Sequence, residues 1–250
     1  MIYFPELRTR RLTIKLHEIS ILDGVTISAM PTGMEQAETT AFLRAALESV
    51  SDNSDPLEWT VEERTLAVCH YLASTSEDGP DFSVGDYHLM DYMDMEKQIT
   101  SLDPVDIGEA AGDKWRLIPL TGRHAEAIER LEGEAKGKDG APIPSVFHWY
   151  AGVLASQLLR EGEERPKEAG QAFDEWVLNR INTFLALPES DYTLILSLWA
   201  KGREQQAHLF HPAISPKGIV FNPKEGADSV IPPARFPAHA CLSPLSQSMA

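Results

Sequence analysis

The residues with the clearest chemical potential lie toward the C-terminal end of the sequence, where imidazole and thiol side chains recur. They are His208, His211, His239 and Cys241. Imidazole and thiolate are common zinc ligands, so these four could form a metal site in a metal-dependent enzyme. Paired ligands of structural zinc sites usually have about two to four residues between them, whereas His239 and Cys241 have only one. The competing interpretation is that these histidines flank a strand and form local hydrogen bonds.

A second candidate pair, Cys69 and His70, lies within a helical pattern. Adjacent helical residues point about 100° apart, so this thiol and this imidazole cannot both face one substrate. The pattern favours a buried cysteine beside a partly exposed histidine. The sequence also has no Gly-rich phosphate loop, dinucleotide fingerprint, HExxH helix, nucleophile elbow or CxxC pair. We therefore expect a non-catalytic protein with no cofactor and no metal, and keep the metal-dependent enzyme as an alternative.

The overall composition is that of a globular protein, with 43% hydrophobic and 24% charged residues. Acidic residues outnumber basic ones by 38 to 22, and the resulting net charge of −16 disfavours binding to nucleic acid. The apolar stretches are much shorter than the roughly 20 residues that cross a bilayer, so no membrane span is expected. The N-terminal residues do not resemble a secretory signal, which predicts synthesis in a cytoplasm.

The first predicted region, 1–76, combines a strand with helices. Alternating apolar residues at Leu12, Ile14 and Leu16 indicate a half-buried strand. An apolar helical face then runs through 34–50. Thr60 and Glu63 have the spacing of a capping box, which predicts the start of the next helix.

The next two predicted regions differ in composition. Residues 77–113 are strongly acidic and rich in glycine and proline, which predicts a connector. Residues 114–206 are predicted to be helical after a strand at 115–120. Helices are expected after Thr121, from Ser145, over about 169–187, and from Pro188 onward.

The helix around 191–200 is apolar on nearly all sides, which is typical of a helix that is central in its domain or covered by another subunit. Tyr192, Ile195 and Trp199 are therefore predicted partner contacts.

The last predicted region, 207–250, contains two short strands joined at 216–218, followed by a proline-rich arm. A proline-rich segment does not form central strands, because proline has no backbone N–H to donate. We therefore expect the arm to lie extended on its own chain or on a neighbouring subunit. Its isolated apolar residues Phe210, Phe221 and Phe236 are predicted partner contacts. The complete pattern predicts an α+β fold that is mainly α with a few short β-strands, and an irregular proline-rich C-terminal arm.

Two stretches carry a resemblance to a known class of proteins. The first is MEQAETTAFLRAALES with the following EWTVEERTLAVCHYLA, and the second is LALPESDYTLILSLWAKGREQQAHLFHP with the later GIVFNP and ARFPAH. Both resemble small tail and baseplate proteins of tailed bacteriophages, including their assembly factors. The resemblance implies a protein that is made in the host cytoplasm and located in the virion. It also implies contacts with other tail or baseplate proteins and with further copies of this chain. It carries over no functional residue.

Two alternatives use the same features. An assembly chaperone that is absent from the mature virion belongs to the same class. A regulatory binder that mimics DNA would use the net charge of −16, although its acidic residues are interrupted by Tyr, Met, Gly and Pro.

Overall fold

The computed structural model describes residues 2–52, 54–76, 79–227 and 231–250. The fold is α+β, with helices predominating over small antiparallel sheets. The chain divides into two compact units. Unit 1 comprises residues 1–100, 208–213 and 219–250, and unit 2 comprises 101–207 and 214–218. Among the described residues, every helix is too short or too polar to cross a membrane.

The N-terminal part of unit 1 contains a three-stranded antiparallel sheet. Its strands are β1 (Leu7–Arg8), β2 (Thr13–Leu16) and β3 (Leu47–Val50), in that order. Its helices are α1 (Ile21–Ser28), α2 (Glu35–Ala46) and α3 (Val61–Thr75). A short hairpin of β4 (Ser83–Val84) and β5 (Tyr87–His88) follows.

The predicted capping box is confirmed. The Thr60 hydroxyl accepts from the Glu63 amide at 3.1 Å, and Glu63 accepts from the Thr60 amide at 2.9 Å. These bonds satisfy two amides that the start of α3 would otherwise leave unpaired. Arg11 also donates two hydrogen bonds to Glu63, each 3.0 Å long, and so connects the residues just before β2 to this helix.

The apolar face predicted as a helix over 34–50 ends earlier than expected. Helix α2 stops at Ala46, and Leu47–Val50 forms β3, which pairs with β2 through Ile14 and Val50. The strand forms because β2 offers backbone partners from a distant part of the chain. Helical periodicity alone contains no information about that partner.

Unit 2 has its own antiparallel sheet, with β6 (Val105–Ala110), β7 (Asp113–Leu117) and β8 (Leu158–Arg160) in that order. Its helices are α4 (Gly122–Arg130), α5 (Ser145–Gln157), α6 (Gln171–Leu185) and α7 (Glu189–Glu204). Pro188 caps α7 and is not its first residue. The hairpin turn at Ala111 and Gly112 has positive φ at both residues (54° and 84°), the backbone form that joins two-residue hairpins.

Close packing of α4 against α5 depends on a glycine. A Cβ atom at Gly152 would lie 2.7 Å from the Ile128 side chain, so only glycine allows the observed approach. On the same helix pair, His148 Nε2 lies 2.7 Å from the Ile128 carbonyl. The glycine and this polar contact together fix the position of α5 in unit 2.

The C-terminal part of the chain forms a hairpin and a short helix. The hairpin consists of β9 (His211–Ser215) and β10 (Gly218–Asn222), which confirms the two predicted strands. Helix α8 (Pro244–Met249) packs against α1, where a Cβ at Gly24 would lie 2.4 Å from the Ser246 hydroxyl.

The division into four regions stays a prediction, and the two units change at 100/101, 207/208, 213/214 and 218/219. The predicted acidic connector contains β4, β5 and β6, and its residues 77–78 lie outside the described residues, as do 228–230 of the predicted arm.

The predicted arm also contributes to the core of unit 1. Phe236, Ala238 and Leu242 are all at most 9% exposed, and the Tyr92 hydroxyl donates to the Pro232 carbonyl at 3.0 Å. The apolar side chains of the predicted arm therefore fill part of this core.

Candidate protein-binding surface

The histidines and cysteine proposed as metal ligands make separate local contacts in unit 1. His208 Nδ1 donates to Glu62 at 2.8 Å, and the His211 ring lies 5.7 Å from the His208 ring. His239 instead approaches Glu38 at 3.3 Å, and the Cys241 thiol lies 3.7 Å from the Val68 carbonyl.

These contacts agree with the interpretation of local hydrogen bonding. In the described ranges, no three His, Cys, Asp or Glu side chains are grouped so that they could hold a metal ion. Burial lowers the pKa of His211, an effect that His208 increases, and burial raises the pKa of Glu38 despite the nearby His239.

Both thiols are unsuited to nucleophilic chemistry. Cys69 is buried in α3, and burial, with a smaller effect of Cys241, raises its pKa well above the usual value. Burial, and to a smaller degree Glu38, raises the pKa of Cys241 as well. A thiol with a raised pKa has little thiolate at neutral pH, and the thiolate is the reactive form. His70, beside Cys69, contacts the Pro5 carbonyl at 2.7 Å through Nε2.

Five of the six predicted partner contacts are buried within their own units. Those five are Ile195, Trp199, Phe210, Phe221 and Phe236, each at most 9% exposed. In unit 1 the three phenylalanines pack on one another, with ring centres 5.2 to 6.0 Å apart. In unit 2 the Trp199 indole donates to Gln157 at 3.1 Å. Contact of these side chains with a partner would require another conformation, and it stays a prediction.

The sixth residue, Tyr192, belongs to a group of partly exposed aromatic side chains in unit 2. It lies on the first turn of α7, and its ring centre is 6.1 Å from that of Phe147 on α5. Phe147 and Tyr150 are 42% and 36% exposed. We call Phe147, Tyr150 and Tyr192 the aromatic surface.

Helix geometry explains why these rings lie together. Phe147 and Tyr150 are three residues apart and share one face of α5, while His148 and Trp149 are buried on another face. Burial raises the pKa of Tyr192, and Tyr150 raises it further, so the Tyr192 phenol is neutral at physiological pH. Within the described chain, neither tyrosine hydroxyl has a hydrogen-bond partner. The surface thus offers apolar area and two free hydroxyls.

Sequence reasoning found Tyr192 but missed its two neighbours. The signal that identifies Phe147 and Tyr150 is their three-residue spacing at the start of the helix predicted from Ser145, which places both on one helix face. Their proximity to Tyr192 depends on tertiary packing.

Comparisons with protein families, with curated proteins and with solved structures find no match to this chain.

Proposed function

We propose that this protein is a non-catalytic component that acts by binding other proteins, and that the aromatic surface of unit 2 is its contact site. The observation that carries the proposal is a group of three neighbouring aromatic side chains, of which Phe147 and Tyr150 are exposed and Tyr192 is half-buried. Tyrosine and other aromatic residues are enriched at protein interfaces and among the residues that dominate binding energy.

The chemistry of unit 1 supports a non-catalytic function. Both thiols have raised pKa values, and the Glu62 carboxylate that pairs with His208 also accepts from the Phe210 amide at 3.2 Å. This carboxylate therefore positions the segment that contains His208 and Phe210 beside α3.

The proposed setting is the tail or baseplate of a tailed bacteriophage, and it rests on the resemblance of the sequence segments. The partners would be other tail or baseplate proteins and further copies of this chain. An assembly factor that leaves before maturation is the alternative within the same setting. Mass spectrometry distinguishes the two, because a structural subunit is present in purified particles and an assembly factor is present only in infected cells.

A photo-crosslinking amino acid at Phe147 tests the contact site. We expect ultraviolet light to join this position to one defined protein in assembling particles. The matched control places the same amino acid at Tyr3, an exposed aromatic position of unit 1. Equal crosslinking to the same protein from both positions, or none from Phe147, would contradict the assignment.

A further inference from the structure

Unit 2 contains a pocket of about 180 Å³ beside the sheet and α6. Trp115 and Arg160 line it from β7 and β8, and Trp176, Asn179 and Arg180 line it from α6. The pocket shares no residue with the aromatic surface. The proposed contact site therefore does not account for this pocket.

The arginines of the pocket are stacked on aromatic rings. The Arg180 guanidinium carbon lies 5.1 Å from the centre of the Trp176 ring, and the Arg160 carbon lies 5.4 Å from that of Trp115. Residues 176 and 180 are one helical turn apart, which places their side chains next to each other. Stacking holds each guanidinium against a ring and leaves its edge for hydrogen bonding.

Arg180 is fixed in position by the protein itself. Its Nε donates to the Ala155 carbonyl at 2.7 Å, and it also bonds to the Leu158 carbonyl and to Glu163. Its side chain is 11% exposed. A pocket wall held in this way loses little conformational entropy when a ligand binds.

Two polar groups that line the pocket have no partner within the described chain, namely the Trp176 indole N–H and the Asn179 carboxamide. Arg160 has an ion pair with Asp113 at 2.9 Å, in which both side chains are more than 40% exposed, so this pair is weak. Two arginines thus line the pocket against one carboxylate, Glu163. The side chains that line the pocket thus carry a net positive charge and include the unpaired donors of Trp176 and Asn179, in a chain whose net charge is −16.

We propose that this pocket binds an aromatic side chain with a carboxylate beside it, presented by an acidic peptide segment of a partner protein. A cavity of about 150 Å³ can hold a benzene ring, so the volume here suits one aromatic side chain. The ring packs against the two tryptophans. The carboxylate binds the exposed edge of Arg160, since arginine and carboxylate form paired hydrogen bonds.

The test uses the indole N–H signals of the full-length protein in two-dimensional NMR, with the Trp176 signal identified from Trp176→Phe. The probes are N-acetylphenylalanine, its amide, N-acetylalanine, and the blocked pentapeptide Glu-Asp-Phe-Asp-Glu. We expect N-acetylphenylalanine to shift the Trp176 signal saturably, its amide to bind roughly tenfold more weakly, and N-acetylalanine to leave the signal unchanged. The pentapeptide should bind more tightly than N-acetylphenylalanine. Equal affinity would overturn the peptide assignment in favour of a small aromatic acid.

A substitution tests the position of the carboxylate. Arg160→Gln should retain the fold, because the Arg160 side chain is partly exposed, and should weaken N-acetylphenylalanine binding roughly tenfold to the affinity of the amide. Arg8→Gln, which removes an exposed arginine of unit 1, is the matched control and should change nothing. Unchanged binding in Arg160→Gln, or no shift of the Trp176 signal with any probe, would overturn the proposal.

Discussion

Each unit contains a cluster of aromatic side chains, and the two clusters differ in exposure. In unit 1, Phe210, Phe221 and Phe236 pack together and are almost inaccessible to solvent. In unit 2, Phe147 and Tyr150 of the aromatic surface are exposed and Tyr192 is half-buried, although Phe147 and Tyr192 are also in ring contact. Aromatic contact alone therefore does not identify a binding surface. Exposure separates a cluster that stabilises the fold from one that can bind a partner.

The largest expected difference between the clusters is in stability. Phe210→Ala should lower the free energy of unfolding of unit 1 by about 3–5 kcal/mol, because the lost ring leaves a cavity among buried neighbours. Phe147→Ala, the matched control, should cost about 1 kcal/mol or less, since much of its ring already contacts solvent. Hydrogen exchange resolved for each unit measures both. Similar losses in the two variants would refute the distinction between a core cluster and a surface cluster.

A smaller expected effect is a pH dependence of the stability of unit 2. His124 is buried at the start of α4, where burial first, then Arg165 and Arg123, lowers its pKa from 6.5 to about 3. Arg165 Nη1 lies 3.1 Å from His124 Nε2, and the Thr121 amide donates to His124 Nδ1 at 3.2 Å, so a protonated ring would have an N–H facing a donor on each side.

Since the folded pKa of His124 is depressed, its contribution to stability is fully present above pH 6.5 and is lost as the pH falls toward 3. The loss should be about 1.4 kcal/mol per pH unit, or about 2 kcal/mol between pH 6.5 and pH 5. Urea unfolding at the two pH values, followed by hydrogen exchange in unit 2, measures it. His124→Gln should remove this part of the pH dependence, and an unchanged slope in that variant would show that another group is responsible.

Local signals in the sequence predicted local structure well. The Thr60–Glu63 capping box and the two strands around residues 216–217 needed only neighbouring residues, and both are confirmed. The α+β class followed from the same kind of periodicity. Strand β3 was interpreted as the end of a helix, because its pairing with β2 depends on residues more than 30 positions away.

The candidate sites were less predictable for a related reason. Tyr192 and Ile195 lie on one apolar helix, and its pattern does not indicate that α7 buries Ile195 and leaves Tyr192 next to Phe147. Likewise, Trp176 and Arg180 belong to the helix predicted over about 169–187, but the pocket also needs Trp115 and Arg160 from the sheet. Exposure is a property of packing between elements, and periodicity within one helix does not determine it.

The most direct test of the central claim is the affinity of the protein identified by crosslinking at Phe147, measured by isothermal titration calorimetry. Tyr192→Ser should weaken binding by about 30-fold, or about 2 kcal/mol, because it removes a central ring of the aromatic surface. Tyr3→Ser, which removes an exposed tyrosine of unit 1, should change the affinity by less than about twofold. A folded Tyr192→Ser variant that binds as tightly as the Tyr3→Ser control would contradict the account.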